Sequence, residues 1–268
     1  MDVFGADGKL KKEDLIGGAG YADCGLGVDA AGNIYLGVNI KPADKPYPAA
    51  FMGKLPDKPW VWWRGEERAV PWRYSYYNSY LWHWGAVMKF PPTGGAFYGH
   101  HPWNLRRADY GEPTPFDKLA NAPADVVSYR SAYLGYEVKA AGALWRHAGC
   151  GIVPSSGDGL QPGPGCVCYV STLAVDEYGR VFAPDVFCFS VEMLDTDGNQ
   201  LARRGRYGNS DSAGPGSKVP EPETGSGSFV FPAYVSANEG KVFVLDSVNR
   251  RVAVVSLQPT ASAECVAP

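Results

Sequence analysis

Val235-Ser-Ala-Asn-Glu-Gly-Lys-Val-Phe-Val-Leu-Asp246-Ser-Val-Asn249-Arg-Arg251-Val-Ala-Val-Val255 is the stretch on which the fold turns. Short β-branched and aromatic runs lie on either side of Glu239-Gly240, and a polar stretch follows Asp246, so the segment reads as three strands joined by tight turns. The same order occurs twice more. Leu173-Ala-Val-Asp-Glu-Tyr-Gly-Arg-Val-Phe-Ala-Pro-Asp185 gives two strands around Tyr178-Gly179, and Phe189 to Leu194 supplies a third. After Asp195-Thr-Asp-Gly-Asn199 a fourth runs from Gln200 to Arg204. Another copy opens at Leu26-Gly-Val-Asp-Ala-Ala-Gly-Asn-Ile-Tyr-Leu36. Repetition on this scale marks an array of like units that bury their apolar faces against one another.

Composition agrees. The 268 residues include 33 Gly, 22 Pro, 16 Tyr and 8 Trp, which suits many short strands and turns, and the expectation is an all-β protein. A formal charge of -3 gives no field that attracts phosphate backbones, so no nucleic-acid partner is expected. No run approaches the roughly 18 apolar residues of a membrane helix, and no membrane insertion is expected. The N-terminus lacks the order of a signal peptide. Six cysteines are compatible with three disulfides and an oxidising compartment, which favours an extracellular or periplasmic location.

The three copies resemble the NHL repeat, in which apolar-x-Val-Asp is followed by Gly-x, Val-Tyr-Val, x-Asp and then Asn-x-Arg before the third strand. Asp246, Asn249 and Arg251 match best. Asp185 fits the same Asp position, but Cys188 and Ser190 stand where the family has Asn and Arg, so that unit is expected to have lost its polar clasp. The resemblance implies a β-propeller of four-stranded blades in one domain, 1–268, with long loop insertions on one face. It says little of function, because such propellers include hydrolases, lyases, RNA binders and interaction scaffolds.

Three inner strands are legible, fewer than the roughly four to eight blades of a closed propeller. Three expectations follow: the chain holds unrecognised blades, a second chain completes the ring, or the ring is incomplete here because the chain is the tail of a longer propeller protein. Tyr136 to Arg146 is a candidate outer hairpin of a degenerate blade, and Val3 to Leu10 reads as the end of a third strand, a turn and a fourth strand. If the ring closes within one chain, the strand near Leu10 pairs beside Val252 to Val255, and Cys24 and Cys265 become candidate disulfide partners. In the first copy the second strand ends near Val38 and the next match is Ala86 to Phe90, which leaves an insertion over 39–85. Further insertions cover 99–132, 149–169 and 209–229. Most should crowd one mouth, where such folds bind ligands.

Candidate chemistry lies in these insertions. Residues 60–84 hold six of the eight Trp and four Tyr. They read either as an aromatic platform for a small polar or carbohydrate-like ligand or as a private core of the insertion. The platform would use Trp62, Trp63, Trp72, Tyr76, Tyr77, Trp82 and Trp84, with Arg64, Arg68 and Arg73 giving directional hydrogen bonds. Catalytic candidates are Glu66, Glu67, Asp109, His100 and His101. No metal site is predicted; the version to test is a divalent ion held by His83 with either His100 or His101, because adjacent residues on extended chain point apart. Cys150, Cys166, Cys168 and Cys188 are candidates for two disulfides across the 149–169 loop. Arg203, Arg204, Arg206, Arg250 and Arg251 read as blade-edge ion pairs rather than an RNA surface.

The functional expectation is an extracytoplasmic binding module or scaffold, with a possible protein partner or homo-oligomer completing the propeller. The alternatives are a hydrolase or lyase acting on polysaccharide or lactone at the mouth, and a structural subunit of a larger assembly.

Overall fold

Turns of the form Asp-x-x-Gly-Asn or Asp-x-x-Gly-Arg start the local structure. The Asp29, Asp176 and Asp195 carboxylates each accept from the backbone N–H groups two and four residues on, at 2.8 to 3.0 Å. Gly32, Gly179 and Gly198 follow at φ 80°, 75° and 84°, a region that glycine enters without a Cβ penalty, and the chain reverses into a hairpin.

The computed structural model describes residues 1–19, 24–38, 40–42, 85–99, 115–124, 126–131, 137–150, 171–208, 218–219 and 227–257. These make an all-β protein, and the described residues contain only short 3-10 turns besides strands. The first half gives β1 (Val3–Phe4), β2 (Leu10–Lys12), β3 (Ile16–Gly17), β4 (Leu26–Val28), β5 (Ile34–Val38), β6 (Ile40–Pro42), β7 (Gly85–Phe90), β8 (Gly95–Gly99), β9 (Val127–Ser131), β10 (Glu137–Ala141) and β11 (Trp145–Cys150). The second gives β12 (Ala174–Val175), β13 (Val181–Asp185), β14 (Ser190–Leu194), β15 (Gln200–Arg204), β16 (Arg206–Tyr207), β17 (Ser228–Phe229), β18 (Pro232–Asn238), β19 (Lys241–Asp246) and β20 (Arg251–Ser256).

Four main sheets result. Sheet I has the order β3-β8-β10-β9-β6, sheet II β4-β5-β7-β11, sheet III β12-β13-β14-β15 and sheet IV β18-β19-β20. Sheets III and IV are simple antiparallel meanders, as the repeat predicts. The sheets pack face to face in the series I, II, III, IV. Ile16, Phe97 and Val138 meet Leu36, Met88 and Phe90 between I and II. Tyr35 and Val87 meet Val181 and Leu194 between II and III, and Phe182 and Val191 meet Val235, Val242 and Val244 between III and IV. Each fully buried side chain of this kind contributes on the order of 2 kcal/mol.

The first strands of sheets II, III and IV lie side by side. Leu173 N–H donates to Cys24 O at 3.2 Å, Thr172 N–H to Ala233 O at 2.9 Å, and Val235 N–H to Thr172 O at 3.3 Å. Gly27 permits this approach, since a Cβ there would sit 2.2 Å from the Val175 side chain. Packed sheet faces need about 10 Å. Backbones in hydrogen-bond contact at one edge therefore force the sheets to fan apart towards their outer strands. Among the described residues they close no ring.

After β7 the chain turns, with Gly94 N–H donating to Pro91 O, and β8 joins sheet I, where Leu15 O accepts from Gly95 N–H and β3 pairs parallel beside it. Two expectations change. β11 takes the vacant fourth position against β7, so β10 and β11 join different sheets and do not form a hairpin with each other. The strand near Leu10 pairs with β1 in a local hairpin rather than beside β20. The insertion over 99–132 also contributes β9, an inner member of sheet I.

Candidate functional site

Sheet IV has two apolar faces. Its register sets Val235 beside Val244 and Ala253, and Ala237 beside Val242 and Val255; this face packs on sheet III. Alternation turns the next residues the other way, in the rows Tyr234-Leu245-Val252 and Ser236-Phe243-Val254. Tyr234, Val252 and Val254 are 39%, 58% and 56% exposed, and Phe243 and Leu245 are half-buried. Asn238, Lys241 and Ser256 form a polar row at one end. Five apolar side chains on one flat lattice are a patch, whereas apolar side chains scattered singly over a surface need no explanation.

The opposite end of the stack differs. The outer face of sheet I holds Glu137, Lys139 and Ser128, with Ser128 Oγ donating to the Glu137 carboxylate at 3.1 Å. A 3-10 turn at Pro115–Asp117 lays Phe116 against Tyr98, ring centroids 5.6 Å apart.

Charged groups buried within the sheets are spent on construction. Asp246, fully buried, accepts from Phe231 N–H at 2.9 Å and Val230 N–H at 3.2 Å, and from Asn249 Nδ2 at 2.8 Å, with Arg251 at 3.5 Å. This is the clasp expected from Asp246, Asn249 and Arg251. In sheet III the expected loss is partly made good. Asp185 accepts from Cys188 N–H at 3.2 Å, and Ser190, in the arginine position, is buried with a hydroxyl that has no partner among the described residues. Arg203 of β15 reaches across to Asp185 at 3.3 Å and also grips Glu192.

Glu192, 1% exposed, receives His147 Nε2 from sheet II at 2.9 Å. Burial pushes its carboxyl up, but the His147 hydrogen bond and the Arg203 charge outweigh burial and hold it below the usual carboxylate range. Beside them the exposed Cys188 thiol is pushed up, first by burial and then by the Asp185 carboxylate. A thiol held protonated is a poor nucleophile, and a carboxylate with both oxygens occupied is a poor base. The cluster reads as a tie between sheets II and III. Nearby, Thr196 O accepts from both Lys89 Nζ at 2.9 Å and Trp145 Nε1 at 2.8 Å, which fills the rest of that junction.

The residues nominated from sequence fall elsewhere. Trp62, Trp63, Arg64, Trp72, Tyr76, Tyr77, Trp82, Trp84, Glu66, Glu67, Asp109, His83, His100 and His101 lie outside the described residues, as do Cys166, Cys168 and Cys265. Cys150 ends β11, and Cys24 is buried beside Gly37. No disulfide joins Cys24 or Cys188. Among the described residues no three His, Cys, Asp or Glu side chains gather as metal ligands, and no helix is long and apolar enough to cross a membrane. Of the nominated arginines, Arg203 and Arg251 form ion pairs. Sequence reasoning missed the open face, although Val242 to Leu245 and Val252 to Val255 are continuous apolar runs of the kind a strand buried on both faces carries.

No family model matches this chain and no curated protein matches it.

Proposed function

We propose that this chain is an interaction scaffold built of propeller-type blades of the NHL kind, and that it works by pairing the open face of sheet IV with the same face of a second copy. The exposed lattice of Tyr234, Phe243, Leu245, Val252 and Val254 carries this reading. Sheets whose first strands touch and whose outer strands fan apart suit an incomplete propeller, and an incomplete propeller needs a neighbour at its open side. The choice of a second copy rests on the contrast between the two ends. Stacking sheet IV on the outer face of sheet I of another copy would bury Lys139 and the Ser128–Glu137 pair, and desolvating such groups without new partners is costly. Sheet IV against sheet IV buries apolar rows against apolar rows, is self-complementary about a twofold axis, and closes after two copies. It leaves the Asn238, Lys241 and Ser256 row at the wet rim.

A carbohydrate-like ligand remains the proposal for the aromatic stretch from Trp60 to Trp84, which the scaffold would present. The ion-paired state of Glu192 and the protonated Cys188 thiol favour a scaffold over an enzyme within sheets II and III.

Light scattering coupled to size exclusion tests the pairing. The full chain should have twice the 28.9 kDa mass of one copy, and the double variant Val252→Asp with Val254→Asp should have the single mass with an unchanged far-ultraviolet spectrum. A monomeric wild-type chain at tens of micromolar, or a double variant that still dimerises, overturns the proposal.

A further inference from the structure

A second surface opens between sheets III and IV. The fan spreads these sheets at their outer strands, and among the described residues sheet IV has three strands where sheet III has four. A cleft of about 250 Å³ lies there, walled by Phe182, Val191, Met193, Phe229, Val242 and Val255. The equivalent space between sheets II and III is filled by Trp145, Lys89 and the His147–Glu192 pair. In sheet III the row Phe182-Met193-Ala202 faces the cleft and ends on a small side chain, which leaves the outer part of the row empty.

The rim is cationic. Arg204 lines the cleft and is exposed, and among the described residues it enters no ion pair, unlike its neighbour Arg203. Arg180 lines it too, but its guanidinium is held by Asp176 at 2.6 Å. Ser256 completes the edge, and no described Asp or Glu lines the space. An apolar slot with a few polar groups at its mouth is the common form of a small-molecule site, though 250 Å³ sits just under the roughly 300 to 1,000 Å³ such sites span. The occupant is therefore small.

We infer that this cleft binds a small anionic amphiphile, a short alkyl or aryl group in the apolar slot with one carboxylate or sulfate on Arg204. The guanidinium supplies paired N–H donors suited to a planar carboxylate. The slot excludes water from the hydrocarbon part. The site is separate from the open face, because its sheet IV walls Val242 and Val255 belong to the side that packs on sheet III.

Titration calorimetry of the full chain with sodium octanoate, with neutral octyl glucoside and octylammonium for comparison, reads the site. Octanoate should bind with one site per chain and octylammonium should not. Arg204→Gln should weaken octanoate roughly tenfold, the expected scale for losing one charge-assisted contact, and leave octyl glucoside unchanged. Ala202→Phe fills the slot and should abolish octanoate binding; a melting temperature equal to that of wild type shows the variant folded. Val252→Asp with Val254→Asp should bind octanoate as wild type does, whether or not the chain dimerises, so failure of the dimer and failure of the cleft are told apart. Absence of octanoate binding at millimolar concentration, or binding that Ala202→Phe leaves intact, overturns the inference.

Discussion

The two ends of the sheet stack are built to opposite rules. At the sheet I end, Phe116 lies on Tyr98, and Ser128 and Glu137 satisfy each other, so that face meets water at little cost. At the sheet IV end, Tyr234, Phe243, Leu245, Val252 and Val254 meet water with no polar residue among them but Ser236. Contiguous exposed apolar patches are unusual on a protein surface, and in the proposed pairing the difference makes one end of the stack finished and the other the surface that meets a second copy. The inner junctions show what a covered face looks like: interdigitated apolar rows plus ion pairs that tie one sheet to the next.

The first way to sharpen this comparison is to damage an inner junction. Arg203→Met leaves Glu192 and Asp185 with less compensation inside the stack, and a loss of about 3 kcal/mol of unfolding free energy is expected, at the low end of the range for a broken buried pair because Arg203 is partly exposed. Urea denaturation reads it, and the association state should not change. Second, Phe116→Ala strips the finished end. It should cost about 2 kcal/mol, less than a fully buried Phe because this ring is half-buried, and should raise binding of a hydrophobic dye in the Val252→Asp, Val254→Asp background. Third, the two faces of sheet IV can be compared in that same dissociated background. Val244→Ala, on the buried face, should cost about 2 kcal/mol, whereas Phe243→Ser, on the open face, should cost less than about 1 kcal/mol. Equal costs would mean that both faces are covered within one chain.

The smallest effect concerns acid. The Glu192 carboxyl lies below its ordinary value in the folded protein, so it contributes stability that is present above the unfolded value and is lost as pH falls towards the folded one. Denaturation followed from pH 6 downward should show stability falling below about pH 4.5, and less steeply in Glu192→Gln. A variant that tracks wild type throughout would remove Glu192 from the account.

The sequence reveals the parts of this fold that short-range chemistry specifies. Asp29, Asp176 and Asp195 with their following glycines are legible because each turn is closed by its own residues, and Asp246 with Asn249 and Arg251 because the clasp spans six positions. Pairings between distant segments are less so. Nothing local in Gly95 to Gly99 says that it will join β3 and β10, or that Trp145 to Cys150 will take its place, because those outcomes depend on which distant edge is free. β9 is hidden within a polar stretch that reads as loop, and Arg203 replaces a missing arginine from another strand, where no spacing rule would look for it. Of the candidate site, the open face was legible in principle: Val242 to Leu245 and Val252 to Val255 alternate apolar with apolar. The aromatic stretch drew attention by density alone, which says nothing of where its rings lie.

One measurement reaches the central claim directly. Isotope-filtered nuclear Overhauser spectra of a sample mixed from methyl-labelled and unlabelled chains detect only contacts between copies. The account predicts cross-copy signals from the methyl groups of Leu245, Val252 and Val254 to the rings of Tyr234 and Phe243, and none to Tyr98 or Phe116. Cross-copy signals that join sheet IV to the Tyr98 and Phe116 end, or none at all at concentrations where the face should be paired, would contradict it.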